Sequence, residues 1–373
     1  MFFSDVIGQE TVKQKLQTVV AKNRISQAYL FSGNTGVGKL ALAIAFAQYI
    51  MCTKKSGNDS CGTCPSCKKF AKLEHPDLHF VFPVIKKKSS ALISDNLINE
   101  FRENVLTSPY ININNWWREI GDEKKVGLIY SEESESIVRK ISLKSYESDY
   151  KIMIIWCPEL MHPTCANKIL KTLEEPPEKT IFILVCNDET KLLETIYSRC
   201  QRLNIPNIED DIIIDKLIKR YAITKEDAIT YSRTSAGSWI KASQQVEESE
   251  ETEFNFEQFV FLMRTCWARK VLDLISWSRT VSTMGRERQK SFLEYAIKMS
   301  RESFMNNLKN DSLVFASKRE KDFMLRFSPF INEDNLIFIY TELNKAYADI
   351  IRNGNAKLIF LDLSLKLVKV IRP

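Results

Sequence analysis

The chain has 373 residues, of which 44% are hydrophobic and 27% charged, with a formal net charge of +6 and a pI near 8.7. This composition is that of a globular protein with room for two or three domains, and it excludes wholesale disorder. No apolar run reaches the roughly 18 residues of a membrane span, and the first residues lack a secretion signal, so we expect a cytoplasmic protein. The mild basic excess permits nucleic-acid contact but is more typical of an ordinary solvated surface.

The first predicted elements are a strand, a glycine-rich loop and a helix. Residues 29–31 form a short apolar run that predicts a buried strand, and residues 40–50 predict an alanine-rich helix. The loop between them has the pattern G-x-x-x-x-G-K, which cradles phosphates on backbone N–H groups and reaches them with its lysine. The eight residues of this pattern are Gly33, Asn34, Thr35, Gly36, Val37, Gly38, Lys39 and Leu40.

The last position of the phosphate loop is Leu40, where a serine or threonine hydroxyl normally holds Mg²⁺. A leucine side chain cannot bind a metal, so the pattern predicts an NTPase scaffold that has lost part of its catalytic chemistry. The remaining backbone groups and Lys39 are able to hold ATP or ADP, but weakly if at all. The alternative is a vestigial turn that only packs the helix against the sheet.

Four cysteines follow this helix at the spacing C-x8-C-x2-C-x2-C, and they are Cys52, Cys61, Cys64 and Cys67. Four thiolates at this spacing can close a tetrahedral Zn²⁺ site with no open position, which predicts a structural zinc module over residues 52–67. The alternative of four incidental thiols is disfavoured, because this polar window could not fold on a core of its own. The remaining cysteines are predicted to be small buried residues and are Cys157, Cys165, Cys186, Cys200 and Cys266.

Two further strands are predicted downstream as continuous apolar runs, at residues 152–156 and 180–185. Between them, residues 165–175 predict a helix that Pro176 and Pro177 bring to an end. Strands that alternate with helices, each strand a continuous apolar run, imply an α/β domain with a parallel sheet covered on both faces.

Beyond residue 203 the pattern is helical. Residues 210–221 and 225–234 predict two short amphipathic helices, and the acidic run 247–253 predicts a linker or an exposed turn. From residue 254 onward helices are predicted throughout, the last of them over residues 358–371. The preceding helix has an apolar face at 3.6-residue spacing, formed by Leu336, Ile339, Tyr340, Leu343, Tyr347 and Ile350.

Several motifs occur in one order along the chain: the phosphate loop, the four cysteines, Ser142-Leu143-Lys144, the sequence LKTLEEPP at residues 170–177, and Ser198-Arg199-Cys200. Together they resemble the clamp-loader subunits of bacterial DNA polymerase III, members of the AAA+ class. The resemblance spans nearly the whole chain. It implies a RecA-like α/β domain at 1–207 with the zinc module and an insertion at about 85–126, a helical lid domain at 208–246, and an all-α collar domain for oligomerisation at 254–373.

Three departures from the active pattern make the chain most similar to the non-hydrolysing delta-prime branch of this family. Leu40 is the first. Active members carry an Asp-Glu pair, for Mg²⁺ and for water, where this chain has Trp156 and Cys157. The lid lacks the arginine that senses the γ-phosphate, since Ile240 stands in its place. The resemblance therefore implies a chain without ATPase activity of its own.

The function implied by the resemblance is stator-like help in loading a sliding clamp on primed DNA, within a DNA polymerase III assembly. The implied partners are motor and delta-like subunits of a hetero-pentamer, with clamp and DNA met through that complex. One alternative is an ATP-hydrolysing, tau/gamma-like motor subunit of the same complex. Another is a stand-alone, zinc-dependent nucleic-acid-binding protein.

Arg199 is the predicted catalytic residue. The resemblance implies that this arginine points into the nucleotide site of a neighbouring subunit and acts there in trans as an arginine finger. A planar, permanently charged guanidinium suits that role. The alternative is a surface arginine at the end of a strand.

The insertion contains Lys86-Lys87-Lys88 and the pair Trp116-Trp117. A basic run with paired tryptophans predicts binding of single-stranded nucleic acid by charge and stacking. The favoured alternative is a helical hairpin that packs its tryptophans on the domain surface.

Overall fold

The structure is a computed structural model that describes residues 1–86, 93–121, 127–307 and 318–371. It divides into two compact units, Met1–Val246 and Glu247–Pro373, with the boundary inside one helix. Among the described residues, no helix combines the length and the apolar character needed to cross a bilayer.

The first unit contains both helices and strands. In chain order they are α1 (Glu10–Ala21), β1 (Ala28–Ser32), α2 (Lys39–Met51), α3 (Pro65–Phe70), β2 (Leu78–Val81), α4 (Ile98–Thr107), α5 (Ile113–Glu119), α6 (Glu133–Ser142), β3 (Lys151–Trp156), α7 (Pro163–Glu174), β4 (Thr180–Val185), α8 (Glu194–Tyr197), β5 (Gln201–Asn204), α9 (Asp210–Tyr221) and α10 (Lys225–Ser235). The strands and helices predicted from apolar runs are all present, with bounds that differ by one or two residues.

The five strands described form one sheet in the order β2-β3-β4-β1-β5, and every neighbouring pair is parallel. The inner strands β1, β3 and β4 are buried along their whole length. Successive side chains enter different cores: Tyr29 and Phe31 pack in one, and Leu30 packs in the other. The predicted parallel sheet with two covered faces is confirmed. Its edge strand β5 is largely exposed.

The second unit is helical in its described residues. Its elements are the C-terminal part of α11 (Trp239–Trp267), α12 (Val271–Ser282), α13 (Arg286–Asn307), α14 (Lys318–Phe327), α15 (Glu333–Ile351) and α16 (Ala356–Val370). A single apolar core joins these helices, with Phe259, Phe292 and Phe360 fully buried in it.

Two expectations about this part of the chain are wrong. The acidic run 247–253 is helical, inside α11, and is not a linker or a turn. Glutamate is a good helix former and the run contains neither glycine nor proline, so its charges sit on a solvated helix. Tyr340 is 50% exposed and lies off the buried face that Ile339 and Leu343 form. The step from Ile339 to Tyr340 turns about 100° around the helix, which carries the ring outward.

Candidate functional site

The phosphate loop connects the end of β1 to the start of α2, as the sequence predicts. Gly33, Gly36 and Gly38 all have positive φ angles, of 144°, 91° and 90°. A Cβ on Gly33 would lie 2.3 Å from the carbonyl oxygen of Ile205, so a side chain there is excluded. The glycines are therefore required by the backbone path of the loop.

Lys39 is turned onto its own loop. Its Nζ donates hydrogen bonds to the carbonyl oxygens of Gly33 and Asn34, both at 2.6 Å. The residue is buried, and this burial lowers the pKa of the ammonium group to about 8. The cation that a phosphate would use is thus already paired with two loop carbonyls.

The loop accepts hydrogen bonds from the N-terminal end of α11 and from the residue before α1. The Oγ of Ser238 donates to the carbonyl oxygen of Thr35 at 2.8 Å, and the next backbone N–H, of Trp239, donates to that of Gly36 at 3.0 Å. The Nε2 of Gln9 donates to the carbonyl oxygen of Val37 at 3.2 Å. Three consecutive loop carbonyls are therefore satisfied by this chain's own donors.

Tyr110, which the sequence analysis did not single out, covers the helix end of the loop. Its hydroxyl accepts a hydrogen bond of 2.7 Å from the backbone N–H of Ile7. Its ring atoms lie 3.0–3.2 Å from the place where a Cβ on Gly38 would be. The cavity that remains beside the loop measures about 20 Å³, which is room for roughly one water molecule.

The positions of the missing catalytic groups line this same cavity or lie beside it. Trp156 at the end of β3 and Leu40 in the first turn of α2 both line the cavity, and both are buried. Cys157 follows with its thiol fully buried, which raises its pKa, and it accepts a hydrogen bond from the Nδ2 of Asn187 at 3.3 Å. A neutral thiol and two apolar side chains supply no oxygen ligand for Mg²⁺.

Glu159 is the carboxylate closest in sequence to these positions. Its Oε1 accepts a hydrogen bond of 3.0 Å from the backbone N–H of Asn187, at the end of β4. This contact ties the short helix Pro158–Leu160 to the neighbouring strand. The carboxylate therefore has a structural partner in the backbone that follows β4.

Arg199 lies between α8 and β5, and its guanidinium contacts the end of α7. Its Nε donates to Oε1 of Glu174 at 2.6 Å, and its Nη2 donates to the same oxygen. Its Nη1 donates to the carbonyl oxygen of Thr195 at 2.7 Å. The side chain is 30% exposed, so its charged end is held in place at the surface of the unit.

The four clustered cysteines come together as predicted. The sulfur atoms of Cys52, Cys61, Cys64 and Cys67 all lie within 4.8 Å of one another. A tetrahedral zinc site with Zn–S bonds of about 2.3 Å needs sulfurs about 3.8 Å apart, so small movements suffice. The local apolar cluster consists of these cysteines alone, which leaves the segment without a hydrophobic core.

The backbone around the sulfurs also suits a metal. The N–H groups of Cys61, Cys64 and Cys67 donate to the sulfurs of Cys52, Cys61 and Cys64 at 3.3, 3.3 and 3.5 Å. Hydrogen bonds from Cys64 and Thr63 lower the pKa of the partly exposed Cys61 thiol to about 6, whereas burial raises the pKa of Cys52 and Cys67. Hydrogen bonds of this kind stabilise thiolates, so the donor set fits Zn²⁺.

The insertion does not offer its tryptophans for stacking. Trp116 and Trp117 are both buried, and the Nε1 of Trp116 donates to the carbonyl oxygen of Pro83 at 2.8 Å. The insertion contains the two helices α4 and α5, and its tryptophans belong to the core and not to the surface. Lys86 pairs with Glu132 at 2.6 Å. Lys87 and Lys88 lie outside the described residues.

Replacing Trp116 with alanine is expected to lower the free energy of unfolding by about 3–5 kcal/mol, as for other large aromatic residues removed from cores. Its ring meets Phe82 and Phe101 edge-on at centroid distances of 5.2 and 5.6 Å. Urea unfolding measures this change. Tyr146→Ala removes an aromatic side chain that is 81% exposed and should change the free energy by less than about 0.5 kcal/mol. Equal effects of the two substitutions would contradict the buried position.

Comparison with known proteins gives the following matches. A family model described as "DNA polymerase III, delta subunit" matches residues 8–209. DNA polymerase III subunit delta' of Bacillus subtilis (strain 168) is 30% identical over 212 residues, which cover 57% of this chain and 52% of that protein. DNA polymerase III subunit tau of the same organism is 30% identical over 217 residues, 58% of this chain and 31% of that protein.

The delta' subunit of Haemophilus influenzae (strain ATCC 51907 / DSM 11121 / KW20 / Rd) is 25% identical over 221 residues, 59% of this chain and 55% of that protein. The chain thus matches about half or less of the length of these relatives. Among solved structures, a DNA polymerase III gamma-subunit-related protein of Thermotoga maritima aligns over 96% of this chain and 99% of its own, with a TM-score of 0.38 and 13% identity.

Proposed function

The chain belongs to the family of DNA polymerase III clamp-loader subunits, and we propose that it is a non-hydrolysing, delta-prime-like member that acts as a stator in clamp loading. The observation that carries the proposal is the phosphate loop. Its metal position is Leu40, and the catalytic acid positions are Trp156 and Cys157, all three buried.

The rate contributions of the missing catalytic groups favour a non-hydrolysing subunit over a slow ATPase. Phosphoryl transfer depends on metal and cationic charge placed around the γ-phosphate, and a single such group is worth about 10³–10⁵ in rate. This site lacks both metal anchors and the acid that orients water. Their combined loss is larger than a partial active site could offset.

Arg199 supports a role in a neighbour's reaction. An arginine finger must present a fixed guanidinium at the surface of its own subunit, and the contacts with Glu174 and Thr195 meet both requirements. In this proposal Arg199 exchanges its carboxylate partner for the phosphate of a nucleotide bound by the adjacent motor subunit.

The second unit supports assembly with other subunits. Several large apolar side chains on α15 and α16 are exposed, and they are Ile337, Tyr340, Ile351, Leu358 and Leu365. Exposed apolar side chains on neighbouring helices are typical of interaction surfaces. We assign this surface to the collar of a hetero-pentamer with motor and delta-like subunits, through which the chain would meet the clamp and primed DNA.

The four cysteines would hold a structural Zn²⁺ in this proposal. Such an ion, bound by four thiolates, has no open position for a substrate. It would supply folding energy to a segment that has no core and would take no part in hydrolysis.

An ATP-hydrolysing, tau/gamma-like motor remains the second candidate, because the tau subunit of Bacillus subtilis is as similar as the delta' subunit, at 30% identity each. The two functions differ in what the purified chain does alone. The test is phosphate release from MgATP by the isolated chain, with clamp and primed DNA present.

We expect no phosphate release above the protein-free background. Leu40→Ser, which restores the hydroxyl, should also be inactive, because Trp156 and Cys157 still provide no carboxylate. Metal-dependent turnover by the wild-type chain would overturn the stator proposal and favour the motor. Turnover gained by Leu40→Ser alone would show that position 40 is the whole deficit.

A further inference from the structure

The segment between α4 and α5 reaches the phosphate loop and fills the space beside it. We infer that Tyr110 in this segment is the residue that excludes nucleotides from the loop. The proposed function requires only that the chain does not hydrolyse ATP. Exclusion by Tyr110 would in addition prevent ATP or ADP from binding to the loop.

The position of Tyr110 is set by contacts at the hydroxyl end of its ring. Its hydroxyl accepts the N–H of Ile7 at 2.7 Å, and its ring edge lies against Gly38 at the start of α2. The same ring packs against both the core under the sheet and the core of α9 and α10. One aromatic side chain therefore joins the amino-terminal segment, the phosphate loop and these helices.

The remaining volume is too small for a nucleotide. Sites for small ligands and cofactors have volumes of about 300–1,000 Å³. The cavity beside this loop has about 20 Å³. The difference is more than tenfold, so a nucleotide enters only if Tyr110 leaves.

The cavity wall is also largely apolar, which disfavours the binding of a nucleotide. Pro109 and Ile111, the sequence neighbours of Tyr110, line this wall, as do the apolar side chains of Trp156 and Ile240. Polyphosphate is strongly anionic, and apolar walls offer it no counter-charge. Lys39, the one cation among the described residues of the wall, would first have to leave the carbonyl oxygens of Gly33 and Asn34.

Tyr110 also lies in a segment whose flanking helices are anchored in the core. The helices on either side bury Phe101 and Trp116, whose rings meet edge-on at 5.6 Å. Moving Tyr110 outward would expose a ring that is mostly buried and would break the bond to Ile7. Such a displacement costs free energy that nucleotide binding would have to supply, so the apparent affinity falls.

The test is a titration of the full-length chain with a fluorescent ADP in the presence of Mg²⁺. We expect wild-type chain to bind it too weakly to saturate. Tyr110→Ala should bind at least about tenfold more tightly, since the volume of the ring becomes available. Tyr110→Phe keeps the ring and should stay close to wild type. Tyr146→Ala, at an exposed position, is the matched control and should also resemble wild type.

A second substitution locates the gain and guards against misfolding. Lys39→Met in the Tyr110→Ala background should remove the new binding, because it deletes the cation of the phosphate loop. Tyr110→Leu keeps apolar packing and should give a smaller gain if Tyr110→Ala does not fold, as judged by circular dichroism. Saturable binding to wild-type chain, or no gain in a folded Tyr110→Ala or Tyr110→Leu chain, would overturn the inference. Neither result bears on phosphate release by the isolated wild-type chain, which tests the stator role.

Discussion

Replacing Arg199 with alanine should slow ATP hydrolysis at the neighbouring nucleotide site of the assembled clamp loader by about 10³-fold or more. In the proposed role, the guanidinium would stabilise negative charge that develops on the transferred phosphoryl group, and alanine would leave that charge without its partner. Single-turnover hydrolysis by the complex, with clamp and primed DNA, measures the rate. Total steady-state turnover should fall less if other sites in the ring have arginines of their own.

The substitution should leave the chain folded and the complex assembled. Arg199 and Glu174 are 30% and 46% exposed, and ion pairs at such positions contribute only about 0–1 kcal/mol to stability. Size-exclusion chromatography of the mixture checks assembly. Arg202→Ala removes a nearby arginine whose Nη1 bonds the hydroxyl of Tyr197 at 2.6 Å, and its complex should hydrolyse ATP at the normal rate. A fully active Arg199→Ala complex would eliminate the arginine-finger hypothesis.

Cys64→Ser should abolish zinc binding at the proposed four-cysteine site and unfold the segment around residues 52–67. Structural zinc sites in small modules supply about 10–16 kcal/mol of apparent binding energy, and this segment has no apolar core to replace it. We expect about one zinc per wild-type chain and much less in the variant, as measured by elemental analysis.

The unfolding caused by Cys64→Ser should extend to the amino-terminal residues. The carboxylate of Asp59 accepts the N–H groups of Phe3 and Ser4 at 3.1 and 3.0 Å, so the cysteine segment anchors these residues. Hydrogen exchange at the first residues should therefore quicken in Cys64→Ser. Cys200→Ser is the control and should retain the zinc. A zinc-free wild-type chain that is as stable as the zinc-bound chain would contradict the metal assignment.

The parts of the fold that the sequence predicts well are those set by local pattern. β3 and β4 are uninterrupted apolar runs, and a strand covered on both faces requires such a run. α7 ends at Glu174 because Pro176 cannot continue a helix. The phosphate loop and the cysteine cluster are equally local, since each depends on spacing within fewer than twenty residues.

The parts that the sequence does not predict depend on contacts between distant residues. The hydroxyl of Tyr110 bonds the N–H of Ile7, which lies 103 positions away, and no local pattern around Tyr110 predicts that contact. Arg199 finds Glu174 25 positions earlier in the chain. The tryptophans at 116 and 117 have the composition of a stacking surface, and only their burial distinguishes that function from packing.

The bonds of Lys39 have a consequence for how the subunit behaves over time. In a loop shaped by its ligand, the backbone relaxes each time the ligand departs. Here the ammonium group and the two carbonyls satisfy each other, so the loop needs no ligand to hold its conformation. In the proposed stator role, a loop of this kind would stay constant while neighbouring subunits move.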